Sequence, residues 1–283
     1  MVLESLLNPF AVKKKPWEMF LAGFIYSLIG LFISYIVLRD YAGLLLVFLT
    51  VMAAMPLIYK TMINEEELGM KLNSRWRILR EHSHVLTFLM LFFLGVVTSL
   101  SLAYIFLPVT MVESIFKIQS WAILNVNTAV SGSLTQFGLF KGIFMNNLRV
   151  LFICLIFSFM YGLGAIFILT WNASVVSAAI GNLIKTKIAS VGAVFGFDVI
   201  TTYFGIATLS VMRYMFHGLM EIAAYFVAGL AGGIISVAVI KHNLNNEKVI
   251  RDALDLFFIS LAILIIAAVV EVYVTPHLFY SYI

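Results

Sequence analysis

Residues 218–240 read GLMEIAAYFVAGLAGGIISVAVI, and the fold class can be inferred from these residues. It has the length of a membrane-spanning helix and carries a single charged side chain, that of Glu221. Because a backbone in lipid must satisfy its own hydrogen bonds, an uninterrupted apolar run of this length becomes a helix. A β-barrel would instead show shorter segments of alternating polarity. The stretch therefore predicts a helical membrane protein.

The rest of the chain repeats this pattern. Hydrophobic residues make up 63% of the 283 residues and charged residues 11%, which is far from the composition of a soluble domain. Further apolar stretches occupy residues 19–38, 41–59, 84–107, 149–171, 188–212 and 253–275. We expect an all-α, polytopic membrane protein of seven spans, forming a single integral membrane domain over residues 1–283. Six spans are the alternative, if residues 188–212 do not cross.

The segment between the third and fourth spans has mixed polarity. Residues 114–125 and 134–144 place apolar side chains at helical spacing between polar ones. Such short amphipathic helices are typical of the membrane interface. We therefore expect two interfacial helices in this connection.

The basic residues predict an orientation, because Lys and Arg concentrate in cytoplasmic connections. With seven spans and the N-terminus inside, most of the 18 basic residues are cytoplasmic. Those residues are Lys13, Lys14, Lys15, Lys60, Lys71, Arg75, Arg77, Arg80, Lys185, Lys187, Lys241, Lys248 and Arg251. We expect a cell-membrane protein with a cytoplasmic N-terminus and an outside C-terminus. The net charge of +4 lies mostly in these connections and does not indicate nucleic-acid binding.

Four ionisable residues fall within or beside the last two spans. Arg213, His217 and Glu221 are four residues apart and so share one helix face, and Glu271 lies in the seventh span. A carboxylate that faces lipid alone is costly. We therefore expect His217, Glu221 and Glu271 to converge inside the bundle in the outer half of the membrane, with Arg213 as counter-charge near the interface.

Three interpretations of this cluster stay open. Its members can neutralise each other and fix helix register, they can bind a metal or polarise a water, or they can pass protons or cations. Whether a metal binds stays open, and we expect no cofactor. The secondary candidates for site residues are polar positions in or near other spans, namely Asp198, Asn146, Asn147, Arg149 and Asn172. Asn146 is expected to cap the fourth span.

Paired glycines suggest where helices approach each other. Gly192 and Gly196 stand four residues apart, as do Gly229 and Gly233. Small residues at this spacing let two helix backbones come close in a membrane. Both pairs are expected to form helix–helix contacts.

Several of these residues carry a family resemblance. The segments concerned are Asn146-Asn147-Leu148-Arg149, Gly162 and Gly164 leading to Asn172, residues 217–221 (HGLME) followed by Ala228-Gly229, and Glu271. In this pattern the sequence resembles the stage II sporulation protein M family, in its archaeal branch. Phe216 and Ala173 stand where that family commonly has proline and glycine.

The resemblance implies a polytopic integral membrane protein, and the family offers no settled catalytic chemistry to assign to these residues. The family's namesake gathers cell-wall-degrading partners in spore-forming bacteria, so the expected function is a scaffold or organiser of envelope-associated partners. Lipid and membrane proteins are the expected partners, and a homo-oligomer stays open. One alternative is a transporter or channel-like protein that uses Glu221 and Glu271. Another is an intramembrane metal-dependent hydrolase with His217 and the glutamates at its metal.

Overall fold

The protein is a bundle of long helices. The computed structural model describes residues 17–69, 83–131, 135–161, 165–191, 197–240 and 247–279. The helices are α1 (Trp17–Val37), α2 (Ala42–Gly69), α3 (Ser83–Phe106), α4 (Val109–Ile115), α5 (Lys117–Ser131), α6 (Gln136–Tyr161), α7 (Ala165–Val191), α8 (Phe197–Ile240), α9 (Glu247–Val269) and α10 (Thr275–Phe279). A 3₁₀ turn (Arg39–Tyr41) joins α1 to α2, and a π-helical turn (Val270–Val274) joins α9 to α10. The described residues contain no strand, so the all-α prediction is confirmed.

Seven helical segments of the described chain are long and apolar enough to cross a membrane. They are Trp17–Val37, Arg39–Leu57, Leu86–Phe106, Gln136–Phe159, Ile166–Ser190, Thr201–Ser236 and Val249–Phe279. This confirms the predicted number of spans. The first three also agree closely with the predicted boundaries. Pro108 follows the end of the third, and proline has no N–H to extend the helix ladder.

The predicted boundaries between residues 134 and 240 are wrong, although the count is right. The predicted interfacial helix at 134–144 is the beginning of α6, and the predicted spans at 188–212 and 218–240 belong largely to one helix, α8. In the sequence, polar residues such as Asn147 and His217 resemble span boundaries. Inside the bundle these side chains find partners on neighbouring helices, so the helices continue through them. Short helices between the third and fourth spans do exist, as α4 and α5.

The first three long helices pack closely because glycines stand at their contacts. A Cβ atom built on Gly23 of α1 would collide with the carbonyl oxygen of Phe92 in α3, and one built on Gly95 of α3 would collide with that of Phe20 in α1. Two helices can approach this closely only where neither side chain intervenes. Gly30 of α1 similarly admits Thr50 of α2, whose hydroxyl oxygen would lie only 3.1 Å from a Cβ atom at that position. None of these glycines was predicted as a contact.

Helix α7 connects this group to the rest of the bundle, because it packs against α2 and α3 on one side and α6 and α8 on the other. The hydroxyl of Ser177 in α7 bonds to the carbonyl oxygen of Ala173 on its own helix at 2.6 Å and lies 3.2 Å from the carbonyl oxygen of Val97 in α3. The amide of Gln119 in α5 donates to the carbonyl oxygen of Gly43 in α2 and to the hydroxyl of Ser174 in α7, both at 3.2 Å. These bonds attach the short helix α5 to the bundle.

Helices α6, α8 and α9 form the second closely packed group. A Cβ atom on Gly232 of α8 would collide with the carbonyl oxygen of Leu155 in α6. The hydroxyl of Ser158 in α6 donates to the carbonyl oxygen of Gly229 at 2.5 Å. Gly229 and Gly233 are both buried, and Gly229 makes a helix–helix contact as the sequence predicted. The other predicted pair, Gly192 and Gly196, lies outside the described residues.

Candidate functional site

The predicted polar residues meet where α6, α8 and the end of α9 come together. Glu221 lies on α8, one turn after His217, and Glu271 lies in the π-helical turn that follows α9. Asn147 lies on α6 and is buried. We refer to Asn147, His217, Glu221 and Glu271 as the polar cluster.

Glu221 is held from two sides. The amide nitrogen of Asn147 donates a hydrogen bond to its Oε1 atom. Its carboxyl group also lies within hydrogen-bonding reach of the carboxyl group of Glu271. Carboxylates only accept hydrogen bonds, whereas a protonated carboxyl group can also donate one. A hydrogen bond between the two glutamates therefore requires a proton on one of them.

His217 lies on the other side of Glu271. Its Nε2 atom is 3.8 Å from Oε1 of Glu271, and its side chain is 13% exposed. Its Nδ1 atom is 3.4 Å from the hydroxyl oxygen of Thr275, which itself donates to the carbonyl oxygen of Val270 at 3.1 Å. Because that hydroxyl proton is directed to Val270, the threonine oxygen accepts from Nδ1–H. This hydrogen-bond network assigns the neutral tautomer in which the lone pair of Nε2 faces Glu271.

The π-helical turn determines where Glu271 lies. Pro276, the second residue after it, has no N–H, so a regular α-helical ladder cannot pass through this point. The backbone N–H of Thr275 bonds instead to the carbonyl oxygen of Val270, five residues earlier. Wide turns of this kind are rare and occur frequently at functional sites. The predicted end of the last span at residue 275 is wrong, because α10 continues the helix to Phe279.

Other ionisable groups surround the cluster. Arg213, one turn before His217 on α8, is close enough to interact electrostatically with the imidazole. On the opposite side, Tyr225 lies near both glutamates and near Cys154 of α6. Arg213 is half-buried, while Tyr225 and Cys154 are buried. The glutamate pair therefore has an arginine and a histidine towards the beginning of α8, and a phenol and a thiol towards its end.

The remaining secondary candidates lie apart from the glutamate pair. Asn146 donates to Oδ1 of Asn147 at 3.3 Å, and because α6 begins ten residues earlier at Gln136, the prediction that Asn146 caps a helix is wrong. Arg149 is exposed on α6. Asn172 bonds to the carbonyl oxygen of Ile168 on its own helix at 2.9 Å. Asp198 stands in the first turn of α8, and its side chain lies outside the described part of the chain.

The cluster combines titratable side chains with hydrogen-bonding partners. Among the described residues, no three His, Cys, Asp or Glu side chains are arranged to hold a metal ion. Two residues of the site were not predicted: Thr275, which orients the imidazole, and Tyr225, which borders the glutamates. Thr275 could have been found from its spacing, since it stands four residues after Glu271 in the same span. Nothing in the spacing connects Asn147 to Glu221, because the two lie 74 positions apart.

Comparison with known proteins identifies the family. A family model described as Stage II sporulation protein M matches residues 84–276, which run from α3 to α10 and include the whole polar cluster. An uncharacterised protein of Methanocaldococcus jannaschii is 30% identical over 143 residues, covering 48% of this chain and 71% of that protein. No solved structure matches the chain. The resemblance noted from the sequence is thus confirmed, and the chain is a multi-pass membrane protein that belongs to the stage II sporulation protein M family.

Proposed function

We propose that this protein is a non-enzymatic membrane scaffold that organises envelope-associated protein partners. Family membership supports this proposal, because the family's namesake gathers partner proteins in a membrane. One observation on this chain carries it further. Helix α8 is longer than a membrane span, and its first half is less buried in the bundle than its second half.

The length of α8 sets the geometry. It contains 44 residues, which at 1.5 Å per residue make about 66 Å of helix. A bilayer with its headgroup regions is about 40–45 Å thick. Helix α8 therefore reaches beyond the membrane core, or crosses it at a steep tilt. Either way it presents more helix surface than a single span needs.

The two halves of α8 are buried differently. Between residues 201 and 217, Ser210 is the one buried side chain, whereas residues 224–233 are all buried. Phe204 is 73% exposed, and Met212 is 51% exposed. A Cβ atom added to Gly205 would meet nothing within 4 Å, so a second helix can approach the backbone there. We infer that the exposed face of residues 201–216, which we call the uncovered half of α8, receives a helix of a partner protein.

Photo-crosslinking in cells tests this surface. A photoreactive phenylalanine analogue at Phe204 is expected to form adducts with a defined partner protein. The matched control is the same analogue at Phe258, which is 62% exposed on α9. Protein adducts at Phe204 and only lipid adducts at Phe258 would support the proposal. Equal adduct patterns at the two positions would contradict it.

Binding of the captured partner supplies the second test. The purified partner is expected to bind the wild-type protein in nanodiscs and to bind Gly205→Leu much more weakly, because leucine fills the open space beside α8. The Gly205→Leu variant should keep the wild-type melting temperature, since a side chain at this position meets nothing in the bundle. Unchanged affinity for this variant would exclude the uncovered half of α8 as the docking surface.

We also propose that the N-terminus is cytoplasmic and the C-terminus outside. With the observed spans, Lys185 and Lys187 move to the outer side, because they lie at the end of α7. The basic residues that remain with the cytoplasmic connections are Lys13, Lys14, Lys15, Lys60, Lys71, Arg75, Arg77, Arg80, Lys241, Lys248 and Arg251. They are still the majority of the 18, so the positive-inside rule favours this orientation.

Cysteine labelling tests the orientation. Cys154 is the one cysteine of the chain and is buried, so it can be replaced by Ala to give a background for single cysteines. Glu113 in α4 and Glu247 in α9 are both exposed. A membrane-impermeant reagent applied to intact cells should label Glu113→Cys and should reach Glu247→Cys only after permeabilisation. Labelling of both from the same side would refute the proposed topology.

A further inference from the structure

We propose that Glu221 and Glu271 form a proton-binding site that holds one shared proton inside the bundle, and that His217 exchanges this proton with the pair. This inference does not depend on the scaffold function. It rests on the contacts of the polar cluster, which are made by three different helical elements.

The first step concerns the two carboxyl groups. They lie within hydrogen-bonding reach of each other, one on α8 and one on the π-helical turn. Two ionised carboxylates so close together repel, and neither can donate a hydrogen bond. One proton removes both difficulties, because the protonated group then donates to the ionised one. The proton is therefore a structural member of this contact, and the pair carries a single negative charge.

The second step concerns Asn147. Its amide donates to Oε1 of Glu221, so that oxygen is directed towards α6. An amide cannot take up a proton from a carboxyl group at neutral pH, so Asn147 orients Glu221 without competing for the proton. The exchange must then occur through Glu271, whose side chain is 27% exposed.

The third step concerns His217. Thr275 occupies its Nδ1–H, and the lone pair of Nε2 faces Oε1 of Glu271 at 3.8 Å. A small approach brings these two atoms to hydrogen-bonding distance. The shared proton can then pass from the carboxyl oxygen to Nε2, which leaves two carboxylates beside an imidazolium. The reverse transfer restores the pair, so no charge is created or lost within the cluster.

The groups around the glutamate pair show on which side the shared proton can be exchanged. From α8, Arg213 lies beyond His217, and Tyr225 lies beyond Glu221. From α6, Cys154 lies beside Tyr225. Tyr225 is 3% exposed and Cys154 is 0% exposed, so that side of the pair is closed. The half-buried histidine and arginine are on the open side, towards the uncovered half of α8.

Infrared spectroscopy of the full chain tests the shared proton. Protonated carboxyl groups have a carbonyl band separate from that of carboxylates, and ¹³C-labelled glutamate assigns that band to glutamate. The folded wild-type protein, in an ester-free detergent at neutral pH, is expected to show a protonated glutamate band. Absence of such a band in the folded wild-type protein would overturn the proposal without recourse to any variant.

Three variants test its assignment. The band should disappear in both Glu221→Gln and Glu271→Gln, because each removes the partner with which the proton is shared and adds an amide donor. It should persist in Glu113→Gln, which alters an exposed glutamate on α4. Persistence of the band in either of the first two variants would overturn the sharing. Replacing sodium with choline should leave the band unchanged, whereas a band that sodium suppresses would mean that the pair holds a metal cation instead.

Exchange with deuterated water tests the role of His217. The band should shift quickly in the wild-type protein and much more slowly in His217→Phe, which retains a ring of similar size but no exchangeable nitrogen. Equal rates would overturn the exchange role while leaving the shared proton intact. A structural role for His217 alone would change the melting temperature and not the exchange rate.

Discussion

Two groups of helices are held together by different kinds of contact. The first group consists of α1, α2 and α3, and the second consists of α6, α8 and α9. In the first group, Gly23 and Gly95 bring α1 and α3 into direct backbone contact. The hydroxyl groups of Ser27 and Ser34 on α1 bond to carbonyl oxygens of that same helix. In the second group, polar side chains bond across helices, as Asn147 does to Glu221.

The difference shows which polar residues can specify a helix arrangement. A serine that bonds to its own helix is satisfied whatever its neighbours are, so it does not select a partner. An asparagine that bonds to a glutamate on another helix is satisfied in one arrangement only. The first group therefore depends on shape, and the second depends on both shape and hydrogen-bond pairing. The family match begins at residue 84, so it includes the second group but neither α1 nor α2.

Replacing Gly95 with Leu should have the largest effect on stability. A side chain at this position meets the backbone of α1, which cannot move aside without separating the two helices. We expect a loss of at least about 1–3 kcal/mol, the range for overpacked cores, or failure to fold. Thermal melting in detergent measures it. Gly142→Leu on α6 is the control, because a Cβ atom there would meet nothing within 4 Å, and its melting temperature should stay at the wild-type value.

Replacing Asn147 with Ala should have an intermediate effect. The substitution leaves a carboxyl oxygen of Glu221 without its donor, and an unmade hydrogen bond to a buried polar group costs about 1–3 kcal/mol. Reversible unfolding in a mixed-detergent titration measures the change. Asn146→Ala is the matched control, since Asn146 contacts Asn147 on its own helix and makes no described bond to α8. Equal losses for the two variants would mean that the contact with Glu221 is not the cause.

Replacing single serines should have the smallest effects on stability, and the size of the effect should differ between the two helix groups. Ser158→Ala removes a bond from α6 to Gly229 of α8, and such interhelical bonds average about 0.6 kcal/mol in membranes. Ser27→Ala removes a bond within α1 and should change stability less, because the backbone oxygen of Gly23 keeps its helical partner. The same unfolding titration compares them. A larger loss for Ser27→Ala than for Ser158→Ala would reverse the proposed distinction.

Much of the fold could be predicted from the sequence, because apolar runs of span length have few alternatives in lipid. The number of spans follows directly from such runs. The boundaries around α6, α7 and α8 did not follow. A local reading treats Arg213 and His217 as the edge of a span, whereas the structure places both within α8, with His217 beside Glu271. Whether a polar residue interrupts a helix depends on partners that lie far away in the sequence.

Only part of the polar cluster could be predicted from the sequence. The spacing of His217 and Glu221 placed them on one face, and the cost of an unpaired carboxylate predicted that Glu271 would join them. The π-helical turn could not be foreseen, because it depends on how Pro276 is accommodated within a continuing helix. Nor could the close approach at Gly23 and Gly95, since single glycines in apolar helices are common and the partner of each lies on another helix.

A double-mutant cycle between Asn147 and Glu221 tests most directly the claim that paired polar contacts hold the second group together. The free energy of unfolding is measured for the wild-type protein, Asn147→Ala, Glu221→Ala and the double variant. Our account predicts a favourable coupling energy of about 0.6–1.7 kcal/mol, the measured range for interhelical hydrogen bonds in a membrane protein. The same cycle with Asn146→Ala in place of Asn147→Ala should give a coupling near zero. A coupling for Asn147 and Glu221 that is no larger than this control would mean that this contact does not hold the second group together.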